Sequence, residues 1–124
     1  MRMDGEQASE LLHRAVGRKK YQEKIRKQIV LSQEEVSFVK EKGLIYVRDD
    51  AIKYVKSIRN TYPETMKLDA FVNNPLFTGM YATSTCCRDC IYSTYKIKAW
   101  VIISDSECDM LVTKIVSWIQ QKSM

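Results

Sequence analysis

The stretch Ser104-Asp105-Ser106-Glu107-Cys108-Asp109-Met110-Leu111-Val112-Thr113-Lys114-Ile115-Val116-Ser117-Trp118-Ile119 carries the pattern of a capped amphipathic helix. Ser104 with Glu107 three residues later forms a capping box, in which each side chain satisfies a backbone N–H that the helix start leaves open. Cys108, Leu111, Val112, Ile115, Trp118 and Ile119 then recur at steps of three and four and make one apolar stripe. A stripe of that width needs other helices to cover it.

Those helices are found upstream. Ser32 and Glu35 form a second capping box, and Gly43 fits a left-handed stop, so a helix is expected over 33–42 with Val36, Val39 and Phe38 inward. Leu44, Val47, Ala51, Val55 and Ile58 repeat the helical step while Arg48, Lys53, Lys56 and Arg59 fall on the opposite side, giving a helix that ends near Asn60, before Tyr62-Pro63. From Glu6 to Ile29 the spacing is again helical, with Gly17-Arg18-Lys19-Lys20 breaking the register into two pieces or a bend. From Pro63 to Thr85 the period weakens, and Asn73-Asn74-Pro75, Gly79 and Thr83-Ser84-Thr85 favour an irregular central loop covering the core with Leu68, Phe71, Leu76 and Phe77. Ala99 to Ile103 is an apolar run too short for a helix of its own and is read as a buried extended segment. No alternating strands are present to build a sheet. The expectation is a mainly α protein, a small bundle of about five helices with an irregular central loop.

At 124 residues the chain fits one domain, 1–124, with a basic N-terminal helical segment over 1–30 and a helical core over 31–122. No apolar run approaches the ~20 residues of a membrane span, and a soluble, cytoplasmic protein is expected. The net charge of +5 is unevenly spread. Fourteen Lys or Arg stand against nine Asp or Glu up to Asn60, and six against six from Thr61 onward. The excess peaks over Arg14, Arg18, Lys19, Lys20, Lys24, Arg26 and Lys27, where Glu23 is the only acid. Such a strip follows the phosphates of a nucleic acid or an acidic partner, or is simply a solvated helix face. With Tyr21 and Phe38 the only aromatics nearby, it is no base-stacking platform.

The chemical landmark is Thr83-Ser84-Thr85-Cys86-Cys87-Arg88-Asp89-Cys90, which holds three of the four cysteines. With Thr85 read as an N-cap, Cys86, Cys87 and Arg88 fall in the first turn of a helix. The hydroxyls of Thr83, Ser84 and Thr85, the backbone amides and Arg88 would then hold a phosphate or another anion, and the helix start with Arg88 would depress a thiol pKa. Three readings of the sulfurs stay open. Cys87 and Cys90 have the spacing of half a zinc site, which Cys86 or Cys108 would complete, although Cys86 and Cys87 on one regular helix point about 100° apart and cannot share an ion unless the helix begins at or after them. The same pair has dithiol spacing, with Cys87 attacking and Cys90 resolving. Finally, Cys90 and Cys108 can pack as small apolar groups. Hydrolytic catalysis lacks a base, because His13 is the only histidine, and no Gly-rich phosphate loop occurs.

Asn74-Pro75-Leu76-Phe77 followed by Tyr81-Ala82-Thr83-Ser84-Thr85-Cys86-Cys87-Arg88-Asp89-Cys90 resembles the signature of the small bacterial and phage proteins grouped as domain-of-unknown-function family 4186. Leu31-Ser32, Lys42-Gly43 and Trp118-Ile119 extend the resemblance, over roughly Gln28 to Ile119. The family pattern has histidines where this chain has Asn74, Tyr81 and Tyr95, so a metal site using those nitrogens in relatives would here fall to the cysteines. The resemblance implies no activity. The function expected is a small basic protein binding nucleic acid through its N-terminal half. The alternatives are a phage-type interaction or inhibitor protein with a protein partner, and a cysteine-based zinc or thiol-redox protein. No cofactor is required, zinc is the one the cysteines allow, and no reaction motif marks an enzyme.

Overall fold

The computed structural model describes residues 2–15, 18–59 and 74–124. Seven helices follow in order: α1 (Gly5–Arg14), α2 (Lys19–Gln28), α3 (Gln33–Lys42), α4 (Leu44–Ile58), α5 (Pro75–Thr83), α6 (Arg88–Tyr95) and α7 (Asp105–Lys122). The mainly α expectation holds, but with seven helices among the described residues rather than about five. The N-terminal pattern resolves into α1 and α2, and α5 is the helix that the sequence did not announce.

α7 is the organising element. Its capping box between Ser104 and Glu107 is formed, and Leu111, Ile115 and Ile119 are fully buried beneath α4 and α5. α4 brings Val47, Ala51, Tyr54, Val55 and Ile58 to the same core. α3 forms between its Ser32–Glu35 box and Gly43, whose φ of 87° suits a residue without Cβ.

α5 has no clean apolar stripe because it is covered on most sides: Pro75, Leu76, Thr78, Gly79, Met80 and Tyr81 are all buried. A helix buried all round loses the 3.6-residue alternation that would reveal it. Its start signals are nevertheless present, since Asn74 caps Leu76 N–H and Pro75 takes the first position, where a missing N–H costs nothing. The predicted central loop is corrected accordingly over Pro75–Thr83; Leu68 and Phe71 lie outside the described residues. The segment 99–103 is also corrected. Ala99 and Ile103 are buried, but Trp100, Val101 and Ile102 face outward.

The N-terminus is drawn in by backbone pairing of Met3 with Gln28 and Val30, and α1 then crosses α5. The crossing is close at Gly5, where a Cβ would stand 2.3 Å from Thr78 Oγ1. That hydroxyl donates to buried Glu35, so three helices meet there. Gly5→Ala should therefore destabilise the protein by about 1–3 kcal/mol, the usual range for overpacking, as read by urea denaturation. A change below half a kcal/mol would mean that α1 shifts freely.

Candidate metal centre

The cysteine cluster takes its shape from two helix ends. α5 stops with Ser84 in the left-handed conformation, φ 62°, and Thr85 N–H bonds back to Met80 C=O at 2.9 Å. Thr85 thus closes α5 rather than opening α6, which corrects its reading as an N-cap. The N-cap of α6 is Cys87, extended at φ −160°, whose Sγ accepts from Cys90 N–H at 3.4 Å. Cap and third helical residue lie on the same side of a helix start, so Cys87 and Cys90 face each other. Cys86, outside the helix, turns over the pair, and its carbonyl is held by Tyr54 OH at 2.7 Å. The three Sγ atoms lie within 4.8 Å of one another and are half-buried. The helical geometry that would have kept Cys86 and Cys87 apart does not arise, because α6 begins after both.

A cation completes the cluster, and it comes from elsewhere than expected. Arg26 of α2 is buried; one guanidinium nitrogen donates to Tyr81 C=O and another to Cys90 Sγ at 3.2 Å. Arg26 therefore leaves the exposed basic strip to which its sequence neighbours assigned it. Its signal was present in the helical step: Arg26 lies beside Ile25 on the buried face of α2, three residues before the buried Ile29 that follows the helix. Nothing local linked it to a cysteine 64 positions away.

The protons divide unequally. Hydrogen bonds from the Cys86 and Cys87 thiols, with the charge of Arg26, pull Cys90 down to about 3 against the opposing effect of burial. Cys86 is pushed well up by its hydrogen bonds with Cys87 and Cys90 and by burial. For Cys87 the bond to Cys86 lowers the thiol, but the bond to Cys90 and burial outweigh it and leave it raised. The reduced cluster is thus one thiolate supported by two thiols. Cys90 is the anion, since it is the sulfur bonded to Arg26. Burial pushes the Tyr54 and Tyr81 phenols beside the cluster up, so both stay neutral.

A depressed thiol contributes stability that is full above its unfolded pKa near 9.0 and is lost as pH falls through about 3. In the metal-free protein at pH 5, iodoacetamide should therefore alkylate Cys90 well ahead of Cys86, Cys87 and Cys108. Peptide mapping across pH 5–9 checks this, and parallel labelling of all four with a midpoint near pH 9 would contradict it.

The other predicted site residues are placed differently. Cys108 is buried on α7 with its Sγ 3.9 Å from Ile103 C=O, apart from the three converging sulfurs. It packs in the core and is not among the sulfurs that converge. Arg88 is 1% exposed, and its two terminal nitrogens donate to the carbonyls of Ile58, Arg59, Lys98 and Val101. Ser84 and Thr85 are buried, and Thr83 Oγ1 donates to Gly79 C=O at 2.8 Å. Of the residues expected to hold an anion, Ser84, Thr85 and Arg88 are thus buried and Thr83 is half-buried. Of the basic strip, Arg14, Arg18, Lys19, Lys20, Lys24 and Lys27 are exposed. At the positions noted for missing histidines, Tyr81 stands beside the cysteines with Ser9 Oγ on its hydroxyl, Tyr95 OH donates to Thr83 C=O, and Asn74 caps α5.

Fold and site together define a mainly helical protein with a three-thiol centre at a helix start, backed by a buried arginine. The chain belongs to the family described as Domain of unknown function (DUF4186), whose model matches residues 14–120. No solved structure matches it. Among the described residues, no helix is long and apolar enough to cross a membrane.

Proposed function

We propose that the protein binds one thiophilic metal ion, zinc first among them, through Cys86, Cys87 and Cys90. The observation that carries this reading is the convergence of the three Sγ atoms within 4.8 Å. Zinc–thiolate bonds of about 2.3 Å require sulfurs about 3.8 Å apart in a tetrahedral site, so a contraction of about 1 Å at most closes the set. The donor chemistry fits as well: three soft thiolates suit zinc better than magnesium or calcium. Three thiolates and a divalent ion leave one negative charge, which Arg26 balances at the sulfur it already touches. Cys86, Cys87 and Cys90 would hold the ion, and a fourth position would stay open to water or an outside ligand. Bound zinc would tie the α5–α6 turn to the first turn of α6 and supply Lewis acidity at that open position. Elemental analysis of protein purified under reducing conditions tests the reading. One zinc per chain is expected, and metal-free protein that gives no thiolate-to-metal absorption with cobalt would overturn it.

A second reading, contact with nucleic-acid phosphates, is favoured by the six cations in and between α1 and α2 that remain exposed without Arg26. Binding to a random duplex should then weaken with salt along a log–log slope no steeper than about −5, at about 0.9 per phosphate neutralised. Absence of retention at low salt would remove this reading.

A further inference from the structure

We propose that the cysteine centre is also a hydroperoxide-reactive site, in which Cys90 attacks the peroxide and Cys87 closes a disulfide on it, discharging the bound ion. The metal-release step rests on the zinc reading above; the thiol chemistry stands on the geometry of the cluster. Cys90 Sγ has an arginine N–H 3.2 Å away, held by a guanidinium that is itself anchored on Tyr81 C=O. A donor fixed beside a nucleophilic sulfur is placed to stabilise the negative charge that grows on oxygen as an O–O bond breaks. Cys87, capping the same helix, presents its sulfur to the start of that residue's turn, at 3.4 Å from Cys90 N. Both cysteines are half-buried, whereas Cys108 is buried in the core. This reverses the order of attack expected from the dithiol spacing alone, because the arginine stands at the second cysteine.

In the first step the Cys90 thiolate attacks the terminal oxygen of ROOH. An S–O bond forms, the O–O bond breaks, and the departing alkoxide takes a proton from solvent to give ROH. The sulfur is oxidised by two electrons and becomes a sulfenic acid. Cys87, a thiol in the metal-free cluster, then gives up its proton and attacks that sulfur; the S–S bond forms, the S–O bond breaks, and the departing hydroxide takes a proton to leave as water. Counted from that state, one thiolate, one thiol, one hydroperoxide and one proton give one disulfide, one alcohol and one water. Two of the three metal ligands are consumed together. Cys86 alone cannot retain the ion, and a thiol reductant restores the site.

The test adds one equivalent of hydrogen peroxide to zinc-loaded protein, reading free zinc with a chromogenic chelator and mapping disulfides by mass spectrometry. One zinc released per Cys87–Cys90 disulfide is expected, with Cys108 still reduced. Cys87→Ser should instead trap a sulfenic acid on Cys90 that a cyclic 1,3-diketone labels. Arg26→Gln should slow the oxidation about tenfold, the loss of one charged donor to the breaking bond, with circular dichroism confirming intact helices. A disulfide through Cys86 or Cys108, oxidation no faster than in a denatured control, or zinc retained after peroxide would each overturn the inference. Reduced protein that takes up no zinc would instead overturn the metal reading, and the disulfide map would still decide the peroxide chemistry.

Discussion

Arg88→Met should cost the protein about 3–5 kcal/mol, because it leaves four backbone carbonyls without the donor they share. The methionine keeps the aliphatic stem and part of the volume, so the loss reports the guanidinium. Its nitrogens reach Ile58 C=O at 3.0 Å and Arg59 C=O at 3.2 Å at the end of α4, and Lys98 C=O at 2.8 Å and Val101 C=O at 2.7 Å in the α6–α7 connection. An acceptor left buried without a donor costs about 1–3 kcal/mol. The Ile58 contact is fully enclosed, and the other three are half-enclosed. Water can relieve some of them, which keeps the total below simple addition. Thermal unfolding should show a melting temperature lower by about 10–20 °C for a chain of this size. A loss below 1 kcal/mol would mean that the connection is held by its buried Ile97, Ala99 and Ile103 and not by the arginine. The exposed Asp105–Arg59 ion pair nearby, at 2.9 Å, adds little by comparison.

Zinc affinity should fall about a hundredfold in Cys90→Ser, and stoichiometric zinc should be absent from the Cys86→Ser, Cys87→Ser, Cys90→Ser triple variant. Structural zinc sites release about 10–16 kcal/mol on binding, so one thiolate of three accounts for several kcal/mol, of which a serine hydroxyl recovers a part. Tenfold in affinity is about 1.4 kcal/mol, and a hundredfold loss is the lower end of that expectation. Cys108→Ser should leave zinc affinity unchanged, because its sulfur faces Ile103 C=O within the core. Competition with a chelator of known affinity reads all three. Equal losses at Cys90 and Cys108 would contradict the three-sulfur centre.

The helices with exposed faces were legible from their sequences. Ser32 with Glu35 and Ser104 with Glu107 mark starts that the structure keeps, and the stripes of α4 and α7 point to the residues that became the core. Residues 75–83 were not legible in that way, since burial on most faces erases the alternation on which such reading depends. Trp100, Val101 and Ile102 were misplaced for the opposite reason: hydropathy alone puts them inside, and the α6–α7 connection leaves them facing outward.

The sequence by itself determined a helical protein and singled out Cys86, Cys87 and Cys90 as its landmark, because capping and periodicity are local and three thiols in five positions are visible without a fold. Only the tertiary structure decided which charges serve them. Arg26 and Arg88 look alike in sequence, each a basic residue near a helix end. Packing buries both and turns one toward a sulfur and the other toward four carbonyls. A buried guanidinium is positioned by whatever the rest of the chain leaves unpaired around it, and those partners lie between 10 and 64 residues away.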